Sequence, residues 1–121
     1  MKKILFIEDE ATLQEALGDV LQQRGYKVIK ALDGETGVRL ARSEKPDLIL
    51  LDMIIPYKDG FEVLEDLKGD ENTKDIPIIV LTNLEGIKDI DKALAAGATN
   101  YLVKTKYKLG EVLEKIKKII G

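Results

Sequence analysis

Asp52 interrupts the stretch Leu48–Ile55, which is otherwise wholly apolar. An ionised carboxylate in such a run is costly unless something compensates it. Glu8, Asp9 and Glu10 stand in a row directly after the apolar run Ile4–Ile7; Thr82 follows Ile78–Leu81, and Lys104 follows Asn100–Val103. Three carboxylates brought to one place repel and raise at least one pKa unless a cation joins them, and oxygen-only ligands with retained waters suit Mg2+. Carboxylate, Mg2+, lysine and hydroxyl are the parts of phosphoryl transfer, in which metal and lysine neutralise the transferred group and a carboxylate is the nucleophile. On that chemistry Asp52 is the acceptor and becomes an aspartyl phosphate. Taken singly, each residue has a plainer meaning: a partly solvated strand end for Asp52, an ordinary hydroxyl for Thr82, the first lysine of a basic tail for Lys104. The combination specifies a site more sharply than any member does.

The composition narrows the chemistry from the other side. The 121 residues contain no histidine and no cysteine. That removes Cys/His zinc sites, disulfide frameworks, thiol nucleophiles and histidine acid–base catalysis. The 22 acidic and 19 basic residues give a net charge of −3, too balanced to indicate a partner. The distribution is uneven, because from Asn100 onward six lysines face only Glu111 and Glu114. A solvated lysine face is the commoner meaning of such a run, and nucleic acid is not expected to bind through this domain. No apolar run approaches the roughly 20 residues of a membrane span or forms a signal peptide, so the expectation is a cytoplasmic protein with no membrane partner.

The elements that must position these residues alternate along the chain. Short apolar runs at Ile4–Ile7, Lys27–Ala31, Leu48–Leu51, Ile78–Leu81 and Asn100–Val103 read as strands. Between them, Leu13, Ala16, Leu17, Val20 and Leu21 recur at helical spacing, with Thr12 and Glu15 as a capping box and Gly25 past the end. Asp33-Gly34 opens a second helix carrying Val38 and Ala41, which Pro46 closes, and Asp59 caps a third bearing Phe61, Leu64 and Leu67. Ile87, Ile90, Leu94 and Gly97 mark a fourth, and Leu109, Val112, Leu113, Ile116 and Ile120 a fifth. Strict strand–helix alternation implies a parallel sheet with helices on both faces, hence one doubly wound α/β domain over residues 1–121. In such sheets ligands bind beyond the carboxyl ends of the strands, where Glu8, Asp9, Asp52, Thr82 and Lys104 fall.

Five separated motifs in order then resemble a response-regulator receiver domain, the phosphoacceptor half of two-component signalling, over essentially the whole chain. They are Ile7-Glu8-Asp9-Glu10; Leu51-Asp52-Met53-Ile54-Ile55-Pro56 with Asp59-Gly60; Ile79-Val80-Leu81-Thr82; Gly97-Ala98; and Tyr101-Leu102-Val103-Lys104. The resemblance implies a flavodoxin-like (βα)5 fold with strand order 2-1-3-4-5. It implies that Asp52 is phosphorylated by a sensor histidine kinase or a histidine phosphotransfer protein. Asp9 and Asp52 would bind Mg2+ directly, Glu8 through water and Met53 through its carbonyl, while Lys104 and Thr82 would contact the phosphoryl oxygens. Tyr101 matches an aromatic switch position that turns inward as Thr82 moves, reshaping the face of the fourth helix, fifth strand and fifth helix for a downstream protein. Ile54 and Leu84 lie near positions that tune dephosphorylation. Such a domain is a switch rather than an enzyme: it promotes its own phosphorylation and slow dephosphorylation. Receivers usually follow the lysine with proline, often through a cis bond, whereas Thr105 stands here. A non-proline cis bond costs about 2.5–4 kcal/mol, so the 104–105 bond is expected to be trans and the next loop repositioned.

The rivals lack their own signatures. A flavodoxin needs a phosphate-cradling loop where Glu8-Asp9-Glu10 stands. An aspartate-nucleophile phosphatase needs a second aspartate where Ile54 stands, and no Gly-x-x-x-x-Gly-Lys loop occurs for an ATPase. A pseudo-receiver that binds partners without phosphorylation is the non-catalytic alternative, although all five site positions hold competent residues. With about one helix after Lys104, the chain is expected to act through protein contact, either alone or as part of a longer regulator.

Overall fold

Side chains alternate across each strand, and here that alternation feeds two separate cores. In the computed structural model, which describes residues 1–121, the elements are β1 (Lys3–Ile7), α1 (Ala11–Gln23), β2 (Lys27–Ala31), α2 (Gly34–Glu44), β3 (Leu48–Leu51), α3 (Gly60–Lys68), β4 (Ile78–Thr82), α4 (Ile87–Ala95), β5 (Asn100–Val103) and α5 (Leu109–Ile120). The five strands form one parallel sheet in the order β2-β1-β3-β4-β5. Ile4 and Phe6 pack with Leu48, Leu50, Ile79 and Leu81 against Leu17 and Leu21 of α1 and Val112, Leu113 and Ile116 of α5. Leu5 and Ile7 pack with Ile49, Leu51, Ile78 and Val80 against α2, α3 and Ala93 of α4. Strands covered on both faces need continuous apolar runs, which is why β3 and β4 are buried at every position. The doubly wound architecture and the strand order are those expected from the sequence.

Local chemistry sets the helix boundaries. Asp33 accepts from Thr36 N–H at 2.7 Å and starts α2. Asp59 accepts from Glu62 N–H at 3.0 Å while Glu62 accepts from Asp59 N–H, the reciprocal cap that starts α3. Gly37 lets α2 close onto β1, since a Cβ there would lie 2.5 Å from Ile7 Cδ1.

Three features differ from the sequence reading. The expected cap of α1 at Thr12 and Glu15 is absent: the helix begins at Ala11 after Glu10, so Thr12 already lies inside the first turn. The buried face of α1 is Gln14, Leu17, Gly18 and Leu21, rotated away from Ala16, which is exposed. In α4 only Ala93 is buried, while Ile87 and Leu94 of its apolar stripe face outward, Ile87 at 77% exposure. Periodicity located both helices but not which side of the stripe meets the sheet. The 104–105 bond is trans, as the missing proline requires, because the structure contains no cis peptide.

Candidate functional site

Register brings the acidic residues together. Ile7 of β1 sits opposite Leu51 of β3, so Glu8 and Asp52 are the next residues on adjacent strands. Asp52 N–H donates to Ile7 O at 3.0 Å, Glu8 N–H to Ala31 O at 3.0 Å and Lys104 N–H to Thr82 O at 2.8 Å. Each of these residues is therefore one step past its strand yet still fixed by the backbone ladder. Gln14 adds a second tie, its side-chain amide donating to Phe6 O and Ala31 O at 2.9 Å each. A glutamine within the otherwise apolar buried face of α1 was its only sequence signal, and the sequence reading passed over it.

Four side chains interlock at this mouth. Lys104 Nζ donates to Glu8 Oε1 at 2.7 Å and to Asp52 Oδ2 at 2.9 Å. Thr82 Oγ1 donates to Asp52 Oδ1 at 2.6 Å, and Ile54 N–H donates to the same oxygen at 3.1 Å. Glu8 Oε2 accepts from Glu10 N–H at 3.1 Å. Glu8, Asp52 and Thr82 are buried, whereas Asp9 is exposed. No buried side-chain polar atom lacks a partner.

Burial pushes the Glu8 carboxyl above its ordinary range, even though the hydrogen bond from Lys104 pulls the other way. For Lys104 burial works against the ammonium, but its bonds to Glu8 and Asp52 outweigh this and the group titrates above its usual value. Lys104 is thus a held cation between two buried carboxylates.

The same carboxylates fit a hard divalent cation. One oxygen each from Glu8, Asp9 and Asp52 lies within 4.8 Å of the others. Asp9 opens on solvent, which leaves room for the waters Mg2+ retains. The Met53 carbonyl accepts from Gly60 N–H at 3.0 Å and keeps a second lone pair.

A hydrogen-bond chain leaves the mouth on the other side. Leu84 N–H donates to Thr82 Oγ1 at 3.3 Å, and the Tyr101 hydroxyl donates to Leu84 O. Burial, with Asp89 and Asp52 nearby, pushes the Tyr101 phenol up to about 12. The sequence reading singled out Thr82 and Tyr101 but not the backbone of Leu84 that connects them, since a main-chain link carries no residue-type signature.

The structure brings Glu8, Asp9, Asp52, Met53, Thr82 and Lys104 to one end of the sheet, with Tyr101 one hydrogen-bonded segment away. Comparison with known proteins points the same way. Residues 4–117 match the family model described as the response regulator receiver domain. The chain is 38% identical over 120 residues to the DNA-binding dual master transcriptional regulator RpaA of Synechocystis sp., covering 99% of this chain and 49% of RpaA. It is 38% identical over 104 residues to protein PilH of Pseudomonas aeruginosa, covering 86% of each. The chain spans about half the length of the transcriptional regulator. The solved receiver domain of sensor histidine kinase PA1611 from Pseudomonas aeruginosa, with magnesium coordinated in its active-site cleft, superposes with a TM-score of 0.89 at 32% identity, covering 99% of this chain and 98% of that one.

Proposed function

This chain belongs to the response regulator receiver family of two-component signalling, and from that premise we propose that it is a phosphoacceptor switch with Asp52 as the acceptor. The observation that carries this reading is the double engagement of the Asp52 carboxylate by Thr82 Oγ1 and Lys104 Nζ at the buried end of β3.

A carboxylate oxygen of Asp52 attacks phosphorus, the N–P bond of a partner's phosphohistidine breaks, and the electron pair returns to the imidazole. These 121 residues contain no histidine, so the donor lies outside them, on a sensor histidine kinase or a histidine phosphotransfer protein. Lys104 and Thr82, already bonded to the acceptor, provide an ammonium and a hydroxyl for the phosphoryl oxygens. Asp9 and Asp52 would hold Mg2+, with Glu8 through water and the Met53 carbonyl, and the ion would neutralise charge on the transferred group. The domain does not turn over a substrate of its own; its product is its own modified state.

Output runs through Thr82, Leu84 and Tyr101 to the face of α4, β5 and α5. Moving a population from 1:99 to 99:1 takes about 5.5 kcal/mol. Two or three charge-assisted hydrogen bonds at roughly 1.5–3 kcal/mol each supply that much. The exposed Ile87 and Leu94 give this face an apolar surface for a downstream protein. No helix is long and apolar enough to cross a membrane, and a cytoplasmic setting fits a partner kinase.

The test is incubation with phosphoramidate and Mg2+ followed by intact mass. One phosphoryl adduct on the parent and none on Asp52→Asn is the expected result; no adduct on the parent sinks the reading, and an adduct on the variant relocates the acceptor.

A further inference from the structure

We propose that Tyr57 is a specificity-determining contact for the protein that delivers the phosphoryl group, an inference that rests on the acceptor reading above. Tyr57 has φ +67, and it is one of only two non-glycine residues with positive φ. Lys58 N–H donates to Pro56 O at 2.8 Å across it, closing a three-residue turn of the rare positive-φ type. For a bulky aromatic side chain this backbone is a true outlier.

The Tyr57 side chain gains nothing within the chain to offset that strain. Tyr57 is 86% exposed, so its ring buries almost no surface, and no hydrogen bond involves its hydroxyl. The other positive-φ case, Lys45, is the left-handed residue that ends α2 and needs no further account. An outlier held by its backbone, whose side chain makes no use of the fold, points to a role outside the folded chain.

Its position says what that role is. Tyr57 lies five residues after Asp52, on the loop that leaves the acceptor. The loop is bolted to the neighbouring one, because Gly34 N–H donates to Pro56 O at 3.3 Å. A Cβ on Gly34 would lie 1.9 Å from Lys58 O, so no other residue permits this approach. Leu32 and Ile54, the exposed residues just past β2 and next but one after Asp52, are apolar as well, at 50% and 57% exposure. The loops at the carboxyl ends of β2 and β3 thus carry a rim of exposed apolar side chains, and Tyr57 is its most exposed member. A groove of about 840 Å³ runs from it between α2 and α3, with Arg39 and Arg42 on the α2 wall.

A phosphohistidine must come within bonding distance of Asp52, so the donor protein covers this rim. The downstream partner reads the α4 side instead. Aromatic and arginine side chains dominate binding energy where proteins meet. A closed turn also fixes the backbone from which the ring projects, so less backbone freedom is lost on contact. Strain in the free chain therefore serves recognition of the donor.

The experiment compares two phosphodonors on the full chain. Autophosphorylated sensor histidine kinases are first screened, and the one that transfers fastest to the parent becomes the protein donor; phosphoramidate with Mg2+ is the small one. Tyr57→Gly is expected to slow transfer from the kinase about tenfold or more while changing the phosphoramidate rate by less than about twofold. Tyr57→Phe keeps the kinase rate, and Tyr57→Gly melts no lower than the parent because glycine accepts the turn. A kinase rate unchanged in Tyr57→Gly overturns the proposal, as does an equal loss with both donors, which would place Tyr57 in the acceptor chemistry. A parent that takes no phosphoryl group from phosphoramidate overturns the acceptor reading and this inference with it.

Discussion

The Lys104 ammonium sits 2.7 Å from a Glu8 carboxylate that has none of its surface exposed, and the same nitrogen reaches Asp52 at 2.9 Å. The lysine thereby occupies the electrostatic place of a cation between the two buried carboxylates that would hold one. Glu8 is long enough to touch Lys104 directly, so a metal reaching these carboxylates competes with an ammonium already bonded to them.

Replacing Lys104 by methionine separates these roles. Removing one partner of a buried pair typically costs about 3–5 kcal/mol, because it strands the other charge. Lys104→Met is expected to lose stability of this order without metal, with part of it restored by Mg2+, and to bind Mg2+ more tightly than the parent. Urea denaturation with and without Mg2+ checks this. A variant that loses no stability, or gains no more from Mg2+ than the parent does, contradicts the competition.

Gly60 ties the Met53 backbone to α3, its N–H donating to Met53 O at 3.0 Å. A Cβ there would lie 2.5 Å from both Cα and Sδ of Met53, and the Cα cannot rotate away. Overpacking of this kind costs about 1–3 kcal/mol. Gly60→Ala should therefore lower stability by that amount and also weaken Mg2+ binding, since Met53 moves and its carbonyl moves with it. Calorimetric titration with Mg2+ reads the second effect. Unchanged affinity in a destabilised variant would remove the Met53 carbonyl from the ligand set.

Tyr101 predicts an alkaline signature. Its phenol titrates near about 12 in the fold against 10.0 in the unfolded chain. The folded state therefore keeps a proton that the unfolded state releases first. The resulting stability is fully present below pH 10 and is lost as pH rises towards 12. Against Tyr101→Phe, which has no such proton, the parent should lose relative stability over that window. Parallel denaturation curves between pH 9 and 11 test the sign, and a difference independent of pH would refute it.

How far the sequence reveals this protein follows from what each residue type can signal. Asp52, Thr82 and Lys104 are legible because each ends an apolar run, and apolar runs of a parallel sheet deliver their final residues to one edge. The strand order came from the motifs rather than from periodicity, since alternation fixes faces but not neighbours. The orientation of α4 was illegible because Ile87 and Leu94 have the spacing of a core stripe and yet face outward. Tyr57 carries no sequence sign of its positive φ, which only the closed turn reveals.

Gln14 shows most plainly what a residue-type reading passes over. It stands in the buried face of α1 beside Leu17 and Leu21, where a polar residue looks like a flaw in the stripe. Its amide instead closes the carboxyl ends of β1 and β2 by donating to Phe6 O and Ala31 O. Ala31 O keeps the Glu8 N–H when the amide is removed, but the paired reinforcement at the strand end is gone. Gln14→Leu is similar in size and leaves buried carbonyl capacity unmet, which costs about 1–3 kcal/mol. The expected result is a lower urea midpoint at unchanged slope, because the surface exposed on unfolding is nearly the same. Since Glu8 hangs from the strand end that Gln14 secures, the variant should also hold Mg2+ less tightly than the parent. A parent-like midpoint in Gln14→Leu would mean that the backbone ladder alone positions Glu8.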